Sequence, residues 1–274
     1  MKTKKIFFFA VLFAFGFLFI NSCKKEDTTN TNTTSASNCV IAENCFSDAK
    51  NIVDEAGFKN GAFNGTLNDT AISVSFDSLN HSDADTITID FGTTNLLCND
   101  SRLRKGKIIT TYYGKYSDTS KTHTTTFLNY SVDNVRVNGV LKDSYKGYNS
   151  SGHLHFHDTI SGNITLSNGK NIGWTSTTKL EFASGDSTDT WSDNTMLILG
   201  NASGSTSDGD GFSMLISSPI KRNFSNGCRK YLVSGTIQIA LSSRTYLSAD
   251  LGNSDCDDLI SVTIDGNNYQ VHTN

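Results

Sequence analysis

From Ala62 onward the chain consists of short runs in which apolar and polar side chains alternate, separated by Gly, Asn, Asp and Ser. Period-two alternation is the pattern of a strand with one buried face. It predicts strands over Ile72–Asp77, Thr86–Phe91, Lys107–Tyr116, Thr122–Tyr130, Val135–Asp143, Leu154–Leu166, Gly173–Phe182, Thr195–Ala202, Phe212–Ser217, Tyr231–Leu241, Tyr246–Leu251, Leu259–Ile264 and Tyr269–Val271. Between and within them, Asn138-Gly139, Asn168-Gly169, Asp208-Gly209-Asp210-Gly211 and Asp265-Gly266 offer the positive-φ positions that hairpin turns require. No long helical crossover separates the runs. The expected class is therefore all-β, a large antiparallel meander or a sandwich of hairpins over 62–274, with the meander preferred. The single proline, Pro219, and the abundance of Thr, Ser, Asn and Gly agree with that class.

One helix is expected, over Ser47–Gly57 within a segment 39–61. Ser47 suits the cap, Asp48 the first turn, and Gly57 the end, while Ile52, Val53 and Ala56 line one side. Phe46 can staple its start, and Cys39 and Cys45 are close enough in sequence to clip a local loop. The helix is expected to plug one end or edge of the sheet.

The N-terminus reads as an address. Lys2, Lys4 and Lys5 precede a fifteen-residue apolar run, Ile6 to Ile20, and then Asn21-Ser22-Cys23. The run is shorter than the roughly 20 residues of a membrane span, so 1–22 is expected to be a lipoprotein signal peptide and Cys23 the lipidated N-terminus. Two or three acyl chains give stable anchoring where one is marginal. Residues 23–38, Lys24-Lys25-Glu26-Asp27 followed by Thr, Asn, Ser and Ala, are expected to form a flexible tether. Without its three signal lysines the chain has a formal charge of −7, which leaves no footprint for nucleic acid.

With Cys23 lipidated, five cysteines remain in a compartment that permits disulfides. Cys228 and Cys256 are equidistant from position 242. A hairpin centred there pairs Val233 with Leu251, Gly235 with Ala249 and Ile237 with Leu247, and brings the two thiols within bridging reach. Cys98 is then the odd thiol, although sequence alone leaves other pairings open.

Several constellations are candidates for chemistry. His153-Leu154-His155-Phe156-His157 places three imidazoles on one strand face, the minimum for an open zinc site, though alternate strand positions are about 7 Å apart and seldom converge on one ion. The bland reading is a polar outer face over buried Leu154 and Phe156. Asn253, Asp255, Asp257 and Asp258, and separately Asp208 and Asp210, carry oxygen ligands but complete no known calcium loop, so hydrophilic turns are the expected outcome. Tyr112, Tyr113, Tyr116, Tyr130, Trp174 and Trp191 can stack on sugars or simply pack. No serine elbow sits in a strand-to-helix context, and no cofactor motif is present.

A faint internal echo links Ile89-Asp90-Phe91-Gly92 and Cys98-Asn99-Asp100 to Ala249-Asp250-Leu251-Gly252 and Cys256-Asp257-Asp258, as two similar strand-loop-strand corners. Together with Arg102-Leu103-Arg104-Lys105-Gly106-Lys107-Ile108 and Cys228 … Val233-Ser234-Gly235-Thr236-Ile237, this order over roughly 62–274 resembles uncharacterised Bacteroidetes outer-membrane lipoproteins. The resemblance implies an envelope location and carries no catalytic residue. The Glu26-Asp27 pair is similar to a short form of the acidic signal that sends such lipoproteins to the cell surface. The functional expectation is a lipid-anchored outer-membrane protein, facing the surface or the periplasm, that binds a glycan or protein ligand without catalysis. The alternatives are a metal-dependent hydrolase using His153, His155 and His157, or a structural subunit of an outer-membrane complex.

Overall fold

The computed structural model describes residues 30–61, 63, 67, 71–77 and 84–273, so Cys23 and the apolar N-terminal run lie outside the described residues. A helix, α1 (Asn30–Phe58), precedes fourteen strands: β1 (Ser73–Asp77), β2 (Asp85–Asp90), β3 (Leu96–Leu97), β4 (Leu103–Tyr112), β5 (Thr122–Val132), β6 (Val135–Tyr148), β7 (Leu154–Thr165), β8 (Asn171–Ser184), β9 (Thr195–Ser205), β10 (Gly211–Asn223), β11 (Ser234–Leu241), β12 (Arg244–Asn253), β13 (Leu259–Ile264) and β14 (Asn267–His272). All lie in one open antiparallel sheet in chain order, except that β3 pairs beside the start of β4. The meander is the architecture, and every run predicted as a strand is one. Only the two-residue β3 is too short to show a period.

The sheet is one layer thick and curls around α1. The helix touches β2 and β4 near one edge, β6 and β8 in the middle, and β12, β13 and β14 at the other. Inward residues are buried, as with Ile160, Ile164, Ile172, Trp174 and Leu180, while Thr159, Ser161, Asn163, Thr175 and Thr177 face water. A sheet with one wet face needs this alternation. No described helix is long and apolar enough to cross a membrane.

The helix departs most from the sequence reading. Its 29 residues span about 43 Å and are buried along almost the whole length, so it lies inside the curl and does not plug an end. The tether expected through Asn38 is helical from Asn30. Its small polar residues fit because they are slim enough to be buried beside the sheet, as Ser35 and Ser37 are, and because Asn38 Oδ1 accepts the Ser207 amide at 2.7 Å. Ser47 is mid-helix rather than a cap, its hydroxyl donating to the Glu43 carbonyl four residues back. Gly57 does not end the helix; a Cβ there would meet the Tyr116 ring at 2.5 Å, and the chain turns at Asn60 and Gly61, both left-handed. Cys39 and Cys45 form no clip. Both are free, buried thiols on α1, where positions six apart point to different sides of the helix.

Two further readings change. Asn138-Gly139 lies within β6, where Gly139 faces Gly162 of β7 and a Cβ on Gly162 would come within 3.0 Å of Phe46. These glycines let the helix approach the sheet. The β11–β12 ladder pairs Ile237 with Ala249 and Ile239 with Leu247, two positions from the expected register, because Ser242-Ser243 form the turn and irregularities add residues to β12. An even shift keeps the same side chains inside. The ladder stops at Ser234 and Asn253, and Cys228 and Cys256 are bridged from the loops beyond it, with Cα atoms 4.7 Å apart. The echoed corners share their geometry: Asp90 and Asp250 each accept the amide of a left-handed glycine two residues on, at 2.9 Å.

Candidate functional site

The last residue of α1, Phe58, is the hub of an aromatic cluster at one end of the curl. It packs edge-on against Tyr116, Tyr145 and Phe156, and stacks on Trp191 with centroids 6.4 Å apart. Trp191 in turn meets Phe182 and Phe224. Large rings collect here because the apolar faces of β6, β7 and β8 converge on the helix end.

Above this cluster lies a cavity of about 400 Å³ bounded by Phe58, Lys59, Tyr145, Tyr148, Leu154, Trp191 and the 185–189 loop. A second, of about 440 Å³, shares Phe58 and Ser117 with it and runs past Phe76, Tyr112 and Tyr116. The two lie beside Phe58, and the first is a groove at the end of α1. Tyr148 stands at its rim, 65% exposed, where a strand end gives way to the Asn149–Gly152 turn. Asp186 Oδ2 accepts the Leu154 amide at 3.0 Å, which ties the two rim loops together, and Lys59 reaches Asp189 at 3.7 Å. In the floor, the Trp191 indole N–H and Asn194 Oδ1 are buried without a hydrogen-bond partner. A buried polar group left unpaired costs about 1–3 kcal/mol, so both are ready to pair with an entering polar group or water. Burial, then Tyr148 and Asp186, push the Tyr145 hydroxyl up, so it stays a neutral donor.

The residues singled out from sequence fall elsewhere. His155 and His157 point outward from β7 with ring centroids 5.9 Å apart, and His153 precedes the strand. His155 Nδ1 donates to the Gly147 carbonyl at 3.1 Å. Burial, then Lys146, His155 and Lys179, lower the His157 pKa. Among the described residues no three His, Cys, Asp or Glu side chains converge to hold an ion, which removes the metal reading of His153, His155 and His157. β7 pairs with β8 without irregularity from His155 on, and the register shift beside it lies on β6 between Tyr145 and Tyr148, so the rings keep their strand spacing. Asp257 caps its own turn at the Leu259 amide, Asp258 pairs with His272, Asp208 with Lys170, and Asp210 with Ser243. Those carboxylates serve turns, not calcium. Trp174, Tyr112, Tyr116 and Tyr130 are core residues, and Trp174 is 2% exposed, so the broad aromatic platform is absent. Cys98 is a free thiol that burial keeps protonated.

Tyr148, Asp186 and Asn194 were missed. The available signal is an aromatic residue beside a turn cluster, Tyr148 before Asn149-Ser150-Ser151-Gly152 and Trp191 after Ser187-Thr188-Asp189-Thr190, where no strand period calls for one.

No family model matches the chain, and no curated protein or solved structure is significantly similar to it.

Proposed function

We propose that this protein is a lipid-anchored outer-membrane lipoprotein that captures a saccharide, without catalysis, in the groove at the end of α1. The observation that carries the reading is the exposed Tyr148 ring beside a floor of Phe58 and Trp191, flanked by Asp186 and Asp189. Sugars present an apolar ring face edged with hydroxyls. An aromatic face takes the first, and carboxylates with the unpaired Trp191 and Asn194 groups take the second. The lipid on Cys23 and the membrane as partner rest on the sequence alone, as does the resemblance to Bacteroidetes lipoproteins.

Binding is tested on the purified body with a panel of neutral oligosaccharides. Tyr148→Ala and Asp186→Ala are each expected to weaken retention about tenfold, the order of a rim-to-floor anchor, while Tyr246→Ala, at a still more exposed ring on β12, leaves it unchanged. Absence of retention across the panel, or equal loss in the Tyr246 variant, overturns the reading. Protease added to intact cells tests the address: degradation with a periplasmic control intact places the body outside. Cys23→Ser is expected to release the protein from the membrane fraction.

A further inference from the structure

One stripe of α1 stays partly open. Between Thr33 and Gly57 only Thr34, Ile41 and Asn44 are not buried, and their spacing puts them on one side of the helix. Over Ile41 and Asn44 lies a cavity of about 520 Å³, within the range of about 300–1,000 Å³ found for small-molecule sites. Ser101 and Arg102, just before β4, bound it on one side, and Lys230 and Thr273, before β11 and after β14, bound it on the other. Its walls thus come from both halves of the sheet. Among the described residues it shares no wall with the groove at Phe58.

The polar part of this lining is basic and short of acceptors. Arg102 is 5% exposed; its Nε donates to Asp133 Oδ2 at 2.7 Å, and its buried Nη1 lies 3.5 Å from Asp48 Oδ2 without a hydrogen-bond partner. Asp48 turns both of its oxygens to Arg104 Nη2, at 3.2 and 2.9 Å. Lys230 holds its ammonium 4.9 Å from the centre of the Tyr231 ring and pairs with no carboxylate among the described residues. Arg102 and Lys230 therefore face one lining carboxylate, Asp133, and the cavity keeps a single positive charge. Ile41, Val135 and Leu166 supply an apolar wall beside it.

We infer that this cavity binds a small organic monocarboxylate, with its acid group between Arg102 and Lys230 and its apolar body against Ile41, Val135 and Leu166. A buried donor without an acceptor is unfavourable until one enters, and a guanidinium edge matches the two oxygens of a carboxylate. The net charge fits one anionic group. A phosphate monoester would bring a charge of about −1.5 to −2 beside Asp133, and an inorganic anion would leave the apolar wall unused.

Titration calorimetry of the purified full chain tests the site with phenylacetate and hexanoate, their neutral amides, and inorganic phosphate. Both acids are expected to bind saturably, the amides at least about tenfold more weakly, and phosphate not detectably. Lys230→Met, which keeps the stem and removes the charge, is expected to weaken both acids about tenfold, and Lys230→Arg to retain them. Ile41→Trp fills the cavity from the helix side, leaves both cations in place, and is expected to abolish binding; Tyr148→Ala, in the other groove, is expected to leave it unchanged. The acid-against-amide comparison is made on the wild-type chain, so it stands even where a variant fails to fold. Equal binding of acids and amides overturns the inference, as does phosphate binding as tightly as the acids, or no saturable binding of either acid.

Discussion

Two buried ionic clusters on α1 handle charge differently. On one side of α1, Asp48 meets Arg104 at 2.9 Å and Arg102 at 3.5 Å, Arg104 also grips Asp100 with two hydrogen bonds of 2.7 and 2.6 Å, and Arg102 reaches Asp133 at 2.7 Å. Across the helix, two residues on, the Lys50 ammonium faces Asp54, Asp143 and Asp158. Burial pushes Asp48 up, but the guanidiniums of Arg104 and Arg102 outweigh it and hold the carboxyl below the ordinary range. Burial pushes Asp158 well up, and Lys50 only partly offsets it. A forked guanidinium satisfies several carboxylate oxygens at once; an ammonium is a point charge shared among too many. The first cluster balances its charges, and the second has more carboxyl groups than one ammonium can match.

The contrast breaks most readily at Arg104. Arg104→Met strands Asp48 and Asp100 in the interior and is expected to cost about 3–5 kcal/mol in denaturant unfolding. Asp48→Asn is expected to cost about 3 kcal/mol at pH 6, because it leaves Arg104 and Arg102 undercompensated, whereas Asp158→Asn, at a carboxyl that burial already pushes toward its neutral form, changes stability by about 1 kcal/mol or less. Equal costs would erase the distinction between the clusters.

Glu43 sharpens it through pH. Burial raises its carboxyl to about 7, with Arg222 pulling it back. A folded pKa above the unfolded 4.5 favours folding in full below about pH 4.5; that contribution, about 3 kcal/mol, is lost as pH rises through 7. Asp48 has the opposite sign and loses its contribution as pH falls below about 4. Unfolding free energy of Glu43→Gln measured from pH 4.5 to 8 is expected to be flatter than that of the wild type. The smallest effect is expected outside: His157→Ala, on the wet face, stays within about 0.5 kcal/mol.

Strands were legible because their signal is local. Alternation along β7 or β8 marks which face is wet, and a two-residue shift between β11 and β12 leaves that unchanged. The helix was half legible for the same reason: Ile52, Val53 and Ala56 keep a helical period, but Thr33 to Asn38 read as polar linker until Ser207 and the inner sheet face are placed beside them. The groove was less legible still. Trp191 was noted, while Tyr148, Asp186 and Asn194 meet only where three loops gather around Phe58.

The sequence by itself determined an all-β antiparallel class and its inward side chains, since alternation and turn residues act over short stretches; it named Cys228 and Cys256 as a candidate pair and preferred the meander, and the tertiary structure decided both. Tertiary structure decided that a polar helix fills the curl and that charges meet across long separations, as Arg104 does with Asp48 and Arg229 with Glu55 at 2.8 Å. A charged residue in a sequence reads as solvated, because burying it is unfavourable until a partner from elsewhere in the chain removes the cost.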